Sequence, residues 1–444
     1  MITKKALGVL LVMVLSASLL ACGPTPPVSS PSIQTTPTPS PSGQLPPAPS
    51  PAAFKWPSSV TIGTQGVGSS AYVDFGGLAT VMEQSTGMSV RIVPEDNTVL
   101  RMNMLQTRRI DLFLESSTVT SSMEGLRLES MLEDRGPFQM RIISQAYGNR
   151  AFGFFVQKDS PIKTVYDIGP ETRVAIYPGP SALVFAMLAG LGLNDGPVPI
   201  DPMKGKWKVK VVTFGSWDAS MRSVAEGKAD VAMCTAAATA VIEAAASPKG
   251  IRFLELPIKT DPEFVKRFLA VRPTEIFGPA PHDGVKEIWD VITIGGGGHL
   301  FARSDTPDDF AYNFIKWMTE NFDKYKDKSA RLRSYTIQDF RLLLNYSITP
   351  VHPGTIKYLK EVGMWKPADD LRNEYNQKLM DWYIELFPKG VAAAKAQGIA
   401  VTGTSEPWFN FWQNYKKSSG IPPYKTMTDN DITDGLAYLK SKGR

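Results

Sequence analysis

One local pattern occurs twice in this 444-residue chain, and it limits the possible folds more than any other feature. A β-rich run passes through a short Gly/Ser turn into the start of an apolar helix. The first copy is TIGTQGVGSSAY at 61–72 and the second is VAIYPGPSALVF at 174–185. Around them, short β-rich runs alternate with helical patterns, as at 59–63, 89–94, 111–114, 140–146, 208–214, 230–233 and 251–256. Alternation of this kind predicts an α/β fold with mainly parallel sheets. A helix is expected after Pro307, with Thr306 as its cap. Beyond Trp365 the pattern is mostly helical.

Each of the two turns points backbone N–H groups and the positive end of a helix dipole at one place, which makes a seat for an anion. Each hydrogen bond to a charged carboxylate contributes roughly 1.5–3 kcal/mol. Taken singly, either turn reads as an ordinary βα connection with a serine cap. Two of them about 110 residues apart, in corresponding halves of the chain, favour a binding cleft between two lobes. No nucleotide fingerprint, Walker loop, HExxH or G-x-S-x-G motif is present. The three histidines, His282, His299 and His352, do not share metal-ligand spacing, so neither a metal nor a cofactor is expected.

The first 55 residues stand apart. Lys4 and Lys5 precede an apolar run from Ala6 to Leu20, short of the about 20 residues that a membrane-spanning helix needs. The run closes on Leu-Leu-Ala-Cys and resembles a bacterial lipobox, in which Cys22 would carry the lipid and residues 1–22 would be removed. An ordinary signal peptide with a chance cysteine is the alternative. Residues 23–53 hold 11 of the chain's 35 prolines, mixed with Ser and Thr, and 23–55 reads as a tether. Such a stretch buries too little to offset its ordering entropy. Both features predict an extracytoplasmic, lipid-anchored protein.

About 390 residues follow, enough for two or three domains. The formal net charge is +5, and without Lys4 and Lys5 46 basic residues face 43 acidic ones. No basic stripe stands out, so nucleic acid is not an expected partner. Cys234 lies in the apolar run VAMCTAAA and reads as a small core residue.

Residues 61–117 resemble the opening of TAXI-type solute receptors of TRAP (tripartite ATP-independent periplasmic) transporters. Thr64, Gly66, Gly68, Tyr72, Gly76, Leu78 and Ala79 match the pattern of that family, whereas Gln65, Ser69, Ser70 and Ala71 depart from it. DSPIKTVYDI at 159–168, AIYPGPSA, FGSWDASMRSVAEGKADVAM and VHPGTIKYLKEVG at 351–363 continue the resemblance in order. It implies a two-lobed, periplasmic-binding-protein-like fold of type II with a hinge, and no enzymatic chemistry. It also implies a small carboxylate ligand, amino acid or dicarboxylate, delivered to TRAP membrane subunits. The expected division is lobe I at 56–148 and 257–365, lobe II at 149–256 and a helical extension at 366–444. A ligand-binding sensor or scaffold that signals to a membrane partner is the second reading, and a secreted enzyme the third.

The ligand is expected at the carboxyl ends of strands. One lobe would supply Gly66, Gly68, Ser69, Ser70, Tyr72, Ser116 and Ser117, and the other Pro178, Gly179, Ser181, Ala182, Phe214 and Thr235. Tyr147 and Arg150 flank the crossover, where Arg150 could clamp a carboxylate as the cleft closes. Glu115 reads either as a pocket acceptor for an amino group or as a solvated loop residue. In the extension, Trp408 and Trp412 share a helix face, with Trp382, Phe409, Phe411 and Tyr415 nearby. They form either a pad packed on the back of a lobe or an aromatic docking surface.

Overall fold

The computed structural model describes residues 54–116, 118–125, 135–146, 151–177, 182–282, 284–295 and 298–444. The first lobe opens with three strand–helix units. They are β1 (Ser59–Thr64) with α1 (Ser70–Thr86), β2 (Ser89–Pro94) with α2 (Thr98–Gln106), and β3 (Leu112–Ser116) with the short α3 (Thr118–Ser122). Strand β4 (Met140–Ala146) follows. Helix α1 begins where the Ser69 hydroxyl accepts the Tyr72 N–H, and it ends at Gly87, whose φ of 71° suits a residue without Cβ.

The second lobe contains β5 (Gly153–Gln157), β6 (Arg173–Ile176), α4 (Ala182–Gly190) and the two-residue strands β7 (Asn194–Asp195) and β8 (Lys206–Trp207). It continues with β9 (Lys210–Thr213), α5 (Trp217–Ala225), β10 (Ala232–Cys234), α6 (Thr239–Ala246), β11 (Ile251–Leu254) and α7 (Pro262–Val271). Strands β10 and β11 flank β5 antiparallel, β6 pairs with β9 parallel, and a bridge from Val174 to Val231 links the two sets. All nine residues of α4 are buried, as expected of a helix that is apolar all round. Cys234 is fully buried in β10, and burial pushes its thiol well above the usual range.

Phe264 and Phe268 of α7 pack into the core of the second lobe, and so do Ala280 and Ile294 of the hairpin β12 (Ile276–Pro279)–β13 (Ile292–Gly295). The chain therefore returns to the first lobe at β14 (Gly298–Arg303), later than the expected residue 257. It then forms α8 (Asp308–Glu320), α9 (Phe322–Tyr325), α10 (Ile337–Leu344) and α11 (Pro353–Glu361). Pro307 itself holds the cap position of α8, one residue past the expected Thr306.

The first sheet has the order β2-β1-β3-β14-β4. Strand β1 runs parallel to β2 and β3, but β14 is antiparallel to both β3 and β4. The architecture is thus a two-lobed α/β fold whose sheets are mixed, not mainly parallel. The reason is topological. Strand β14 arrives from the other lobe, not through a crossover helix, so it inserts in the opposite direction. The lobes are joined where β4 gives way to β5 and β13 to β14. Ala146 faces Gly298 on one side of this crossing, and Phe152 pairs with Ile294 on the other.

The C-terminal region is helical, with α12 (Pro367–Ala396), α13 (Glu406–Ser419) and α14 (Asp429–Ser441). Trp408 and Trp412 are fully buried, and Trp382 and Phe409 nearly so, within the core of this region. Of the two expected readings the packed pad holds and the aromatic docking surface does not: these rings face inward because they are what the three helices pack on. Among the described residues no helix is long and apolar enough to cross a membrane.

Candidate functional site: the interlobe cleft

The cleft lies at the carboxyl ends of β1 and β3. From the first lobe it is lined by Gln65, Ser70, Ala71, Leu114, Glu115, Ser116, Gly298 and Arg331, and from the second by Phe152, Trp217 and Thr235. Each second-lobe residue follows from its place in the chain. Phe152 precedes β5, Trp217 opens α5 behind the Ser216 cap, and Thr235 follows the last residue of β10. Arg331 comes from the short turn Ala330–Ser334, far along the chain.

The two lobes are in contact. The hydroxyls of Ser70 and Thr235 are 3.2 Å apart, and the Thr239 N–H donates to the Gly68 carbonyl at 3.3 Å. The space between these described walls is about 20 Å³, room for roughly one water molecule.

Arg331 is 5% exposed and Asp74 1% exposed. The Arg331 Nε is 3.2 Å from Asp74 Oδ2, and its Nη1 donates to the Ser70 hydroxyl. The Ser329 hydroxyl donates to Asp74 as well. Burial pushes the Asp74 carboxyl above the usual range, against the pull of Arg331 and Ser329. Glu115 forms the second buried pair. Its Oε2 accepts from Arg101, from Gln65 at 3.3 Å and from Thr98 at 3.3 Å, while its Oε1 accepts the Ser116 N–H at 2.9 Å. On the far wall Trp217 stacks with Phe152 at 5.8 Å and with Tyr177 at 5.9 Å, and its Nε1–H donates to the Met233 carbonyl.

Of the residues expected from sequence, Ser70, Ser116 and Thr235 line the cleft. Gly68 sits at the contact between lobes, where a Cβ would come within 2.2 Å of the Asp218 carboxylate. Gly66, Ser69, Tyr72, Ala182 and Phe214 are not among the lining residues. Two amides of the first turn are already taken. Its Gly66 N–H donates to Asp96 at 2.8 Å, and the Tyr72 N–H is taken by Ser69. Ala182 is fully buried in the second lobe, and Phe214 packs at the edge of that core. Ser117, Tyr147, Arg150, Pro178, Gly179 and Ser181 lie outside the described residues, as does Cys22.

Sequence reasoning missed Arg331, Asp74, Phe152, Trp217 and Gln65. Arg331 is 261 positions from Ser70, and no local spacing announces that pairing. Asp74 and Trp217 did stand inside recognised segments, on α1 and α5, but only a helical-wheel placement against the cleft would have singled them out. Among the described residues no group of three or more His, Cys, Asp or Glu could hold a metal. A larger hollow of about 590 Å³ opens at the opposite end of the strands, beside Phe54, Arg108 and Arg303. Both of its arginines are already paired with Asp305.

Comparison with known proteins adds a family and a set of distant structural likenesses. The pattern of the NMT1-like family matches residues 62–363. No curated protein matches the chain. Among solved structures, the periplasmic aliphatic sulphonate binding protein of Escherichia coli is 17% identical and covers 74% of this chain and 88% of its own, with a TM-score of 0.35. A binding protein component of an ABC phosphonate transporter from Pseudomonas aeruginosa is 14% identical over 76% of this chain and 99% of its own, with a TM-score of 0.38. The substrate binding protein of an amino acid ABC transporter is 13% identical over 61% and 98%, with a TM-score of 0.35. At this level of likeness none of them bears on the ligand.

Proposed function

The chain belongs to the NMT1-like family, and from that premise we propose that it is an extracytoplasmic solute-binding lipoprotein. In this reading it captures a small carboxylate-bearing solute between its lobes and delivers it to the membrane subunits of a TRAP transporter. Cys22 is the lipid anchor and 23–55 the tether that gives the folded part its reach. The observation that carries the reading is the meeting of Ser70 and Thr235 across the cleft beside a buried guanidinium. A hydroxyl from each lobe and one cation converge on one small space, which widens to admit the solute when the lobes part.

The same geometry argues for binding over catalysis. A serine nucleophile needs a base within hydrogen-bond reach. The partners of Ser70 are a guanidinium and another hydroxyl, neither of which takes its proton. The TRAP assignment rests on the ordered motifs from 61 to 363, and the anchor on the Leu-Leu-Ala-Cys ending.

The test begins with mass spectrometry of the solute carried by the purified protein. Calorimetry with that solute should then show a Ser70→Ala, Thr235→Ala double variant binding at least about tenfold more weakly, since each lost bond to a charged group is worth roughly 1.5–3 kcal/mol. Unchanged affinity would place the solute elsewhere. Cys22→Ser should release a folded protein into the soluble fraction, and retention on membranes through carbonate washing would overturn the anchor.

A further inference from the structure

The charges around the cleft keep the solute's carboxylate but take it outside the amino-acid and dicarboxylate class that the resemblance implies. This step rests on the cleft being the binding site. Arg331 is the one cation among the described residues that line the space, and Glu115 the one carboxylate. Arg331 faces Asp74 as an ion pair with Nε at 3.2 Å and donates from Nη1 to Ser70, and its Nη2 makes no hydrogen bond to the protein among the described residues. A planar guanidinium with a donor left over, buried and beside two hydroxyls, is suited to one carboxylate-type head.

Glu115 cannot serve an ammonium in the same way. A carboxylate offers about four lone-pair sites. Three donors, Arg101, Gln65 and Thr98, crowd its Oε2, and the Ser116 N–H occupies Oε1. Its charge is matched by Arg101, whose side chain is 1% exposed. An ammonium brought into the cleft would lose its water without gaining a charged acceptor. Among the described residues a second carboxylate fares no better: the next cation, Arg101, is buried and already paired with Glu115. Ala71, Leu114, Phe152 and Trp217 give the rest of the wall its apolar part, beside Gln65, Ser116 and Gly298.

We propose that the solute is a single-headed organic acid, with one carboxylate held by Arg331, Ser70 and Thr235 and an apolar body against Phe152 and Trp217. It carries neither an ammonium nor a second carboxylate.

Three probes differ only at the carbon next to the carboxylate: hydrocinnamate, phenylalanine and benzylmalonate carry hydrogen, ammonium and a second carboxylate there. Calorimetry on the intact protein should show hydrocinnamate binding at least about tenfold tighter than the other two, the scale set by one unpaired polar group. Removing Arg331 alone would strand Asp74, so the anchor is tested with Asp74→Asn, Arg331→Gln, which removes both charges and leaves neither partner unpaired. That variant should keep its circular dichroism spectrum and lose hydrocinnamate binding by about ten- to a hundredfold. Equal or tighter binding of phenylalanine or benzylmalonate overturns the single-headed class and leaves the cleft reading intact. Full affinity in the charge-free variant overturns Arg331 as the anchor. Binding of none of the three at millimolar concentration also overturns the class. The cleft reading is judged separately, by whether the Ser70, Thr235 double variant loses the solute that the protein carries from the cell.

Discussion

His-Pro-Gly at 352–354 carries part of the family resemblance, and its residues are explained by packing. The His352 Nδ1 accepts the Gly354 N–H at 3.3 Å, and its Nε2 meets the Thr306 carbonyl at 3.0 Å. This arrangement needs a neutral ring with the proton on Nε2, since a protonated Nδ1 has no lone pair to offer. Burial pushes the imidazole below its ordinary 6.5, against the pull of Asp308. The unfolded chain therefore binds the proton first as pH falls. Stability from this group is complete above 6.5 and declines as pH drops from there through the lower folded value. Urea titrations should show that decline, and His352→Gln should flatten it. Gly354 is required for a different reason: a Cβ there would lie 1.9 Å from the Asp308 carbonyl, where α11 packs on α8. Gly354→Ala should cost about 1–3 kcal/mol in the same titration, the scale of an overpacked contact. A motif legible in sequence thus pointed to the fold and not to the ligand.

At the scale of elements, the βα turns were legible and their use was not. The Gly/Ser run, the strand before it and the helix after it all follow from local rules, and Ser69 takes the cap that its position implies. Which amides remain for a ligand depends on residues from other elements. Asp96, from the turn between β2 and α2, claims the Gly66 N–H, and no spacing rule places it there. Gly68 lies against Asp218 on α5, which is itself held by Arg222 and cannot simply swing away. Gly68→Ala should therefore hold the lobes apart without harming either one. Small-angle scattering should report a larger radius of gyration, and affinity for the carried solute should fall by about tenfold, the size of a modest steric penalty. An unchanged radius would show that the lobes accommodate the methyl group.

At the scale of the molecule, the C-terminal helices touch both lobes. On the first, Glu124 pairs with Lys416 at 3.1 Å and accepts the Tyr424 N–H, while the Glu124 carbonyl accepts from the Trp412 indole. On the second, the Ile200 N–H donates to Glu406 at 2.7 Å. Burial lowers the Lys416 ammonium below its usual range, with Glu124 pulling the other way. Glu124→Gln strands that cation, and chemical denaturation should show a loss of about 3–5 kcal/mol, the usual penalty for an unpaired buried charge. A loss under about 1 kcal/mol would mean that Lys416 reaches water. The sequence by itself determined the alternation of strands and helices, the helical C-terminal region, the buried Cys234 and the serine caps, because each depends on neighbours within a few positions. Only the tertiary structure decided that β14 inserts antiparallel, that Trp408 and Trp412 point inward, and that Arg331 meets Ser70. Those outcomes join residues hundreds of positions apart, and they are settled by which apolar faces and which charges can be buried together.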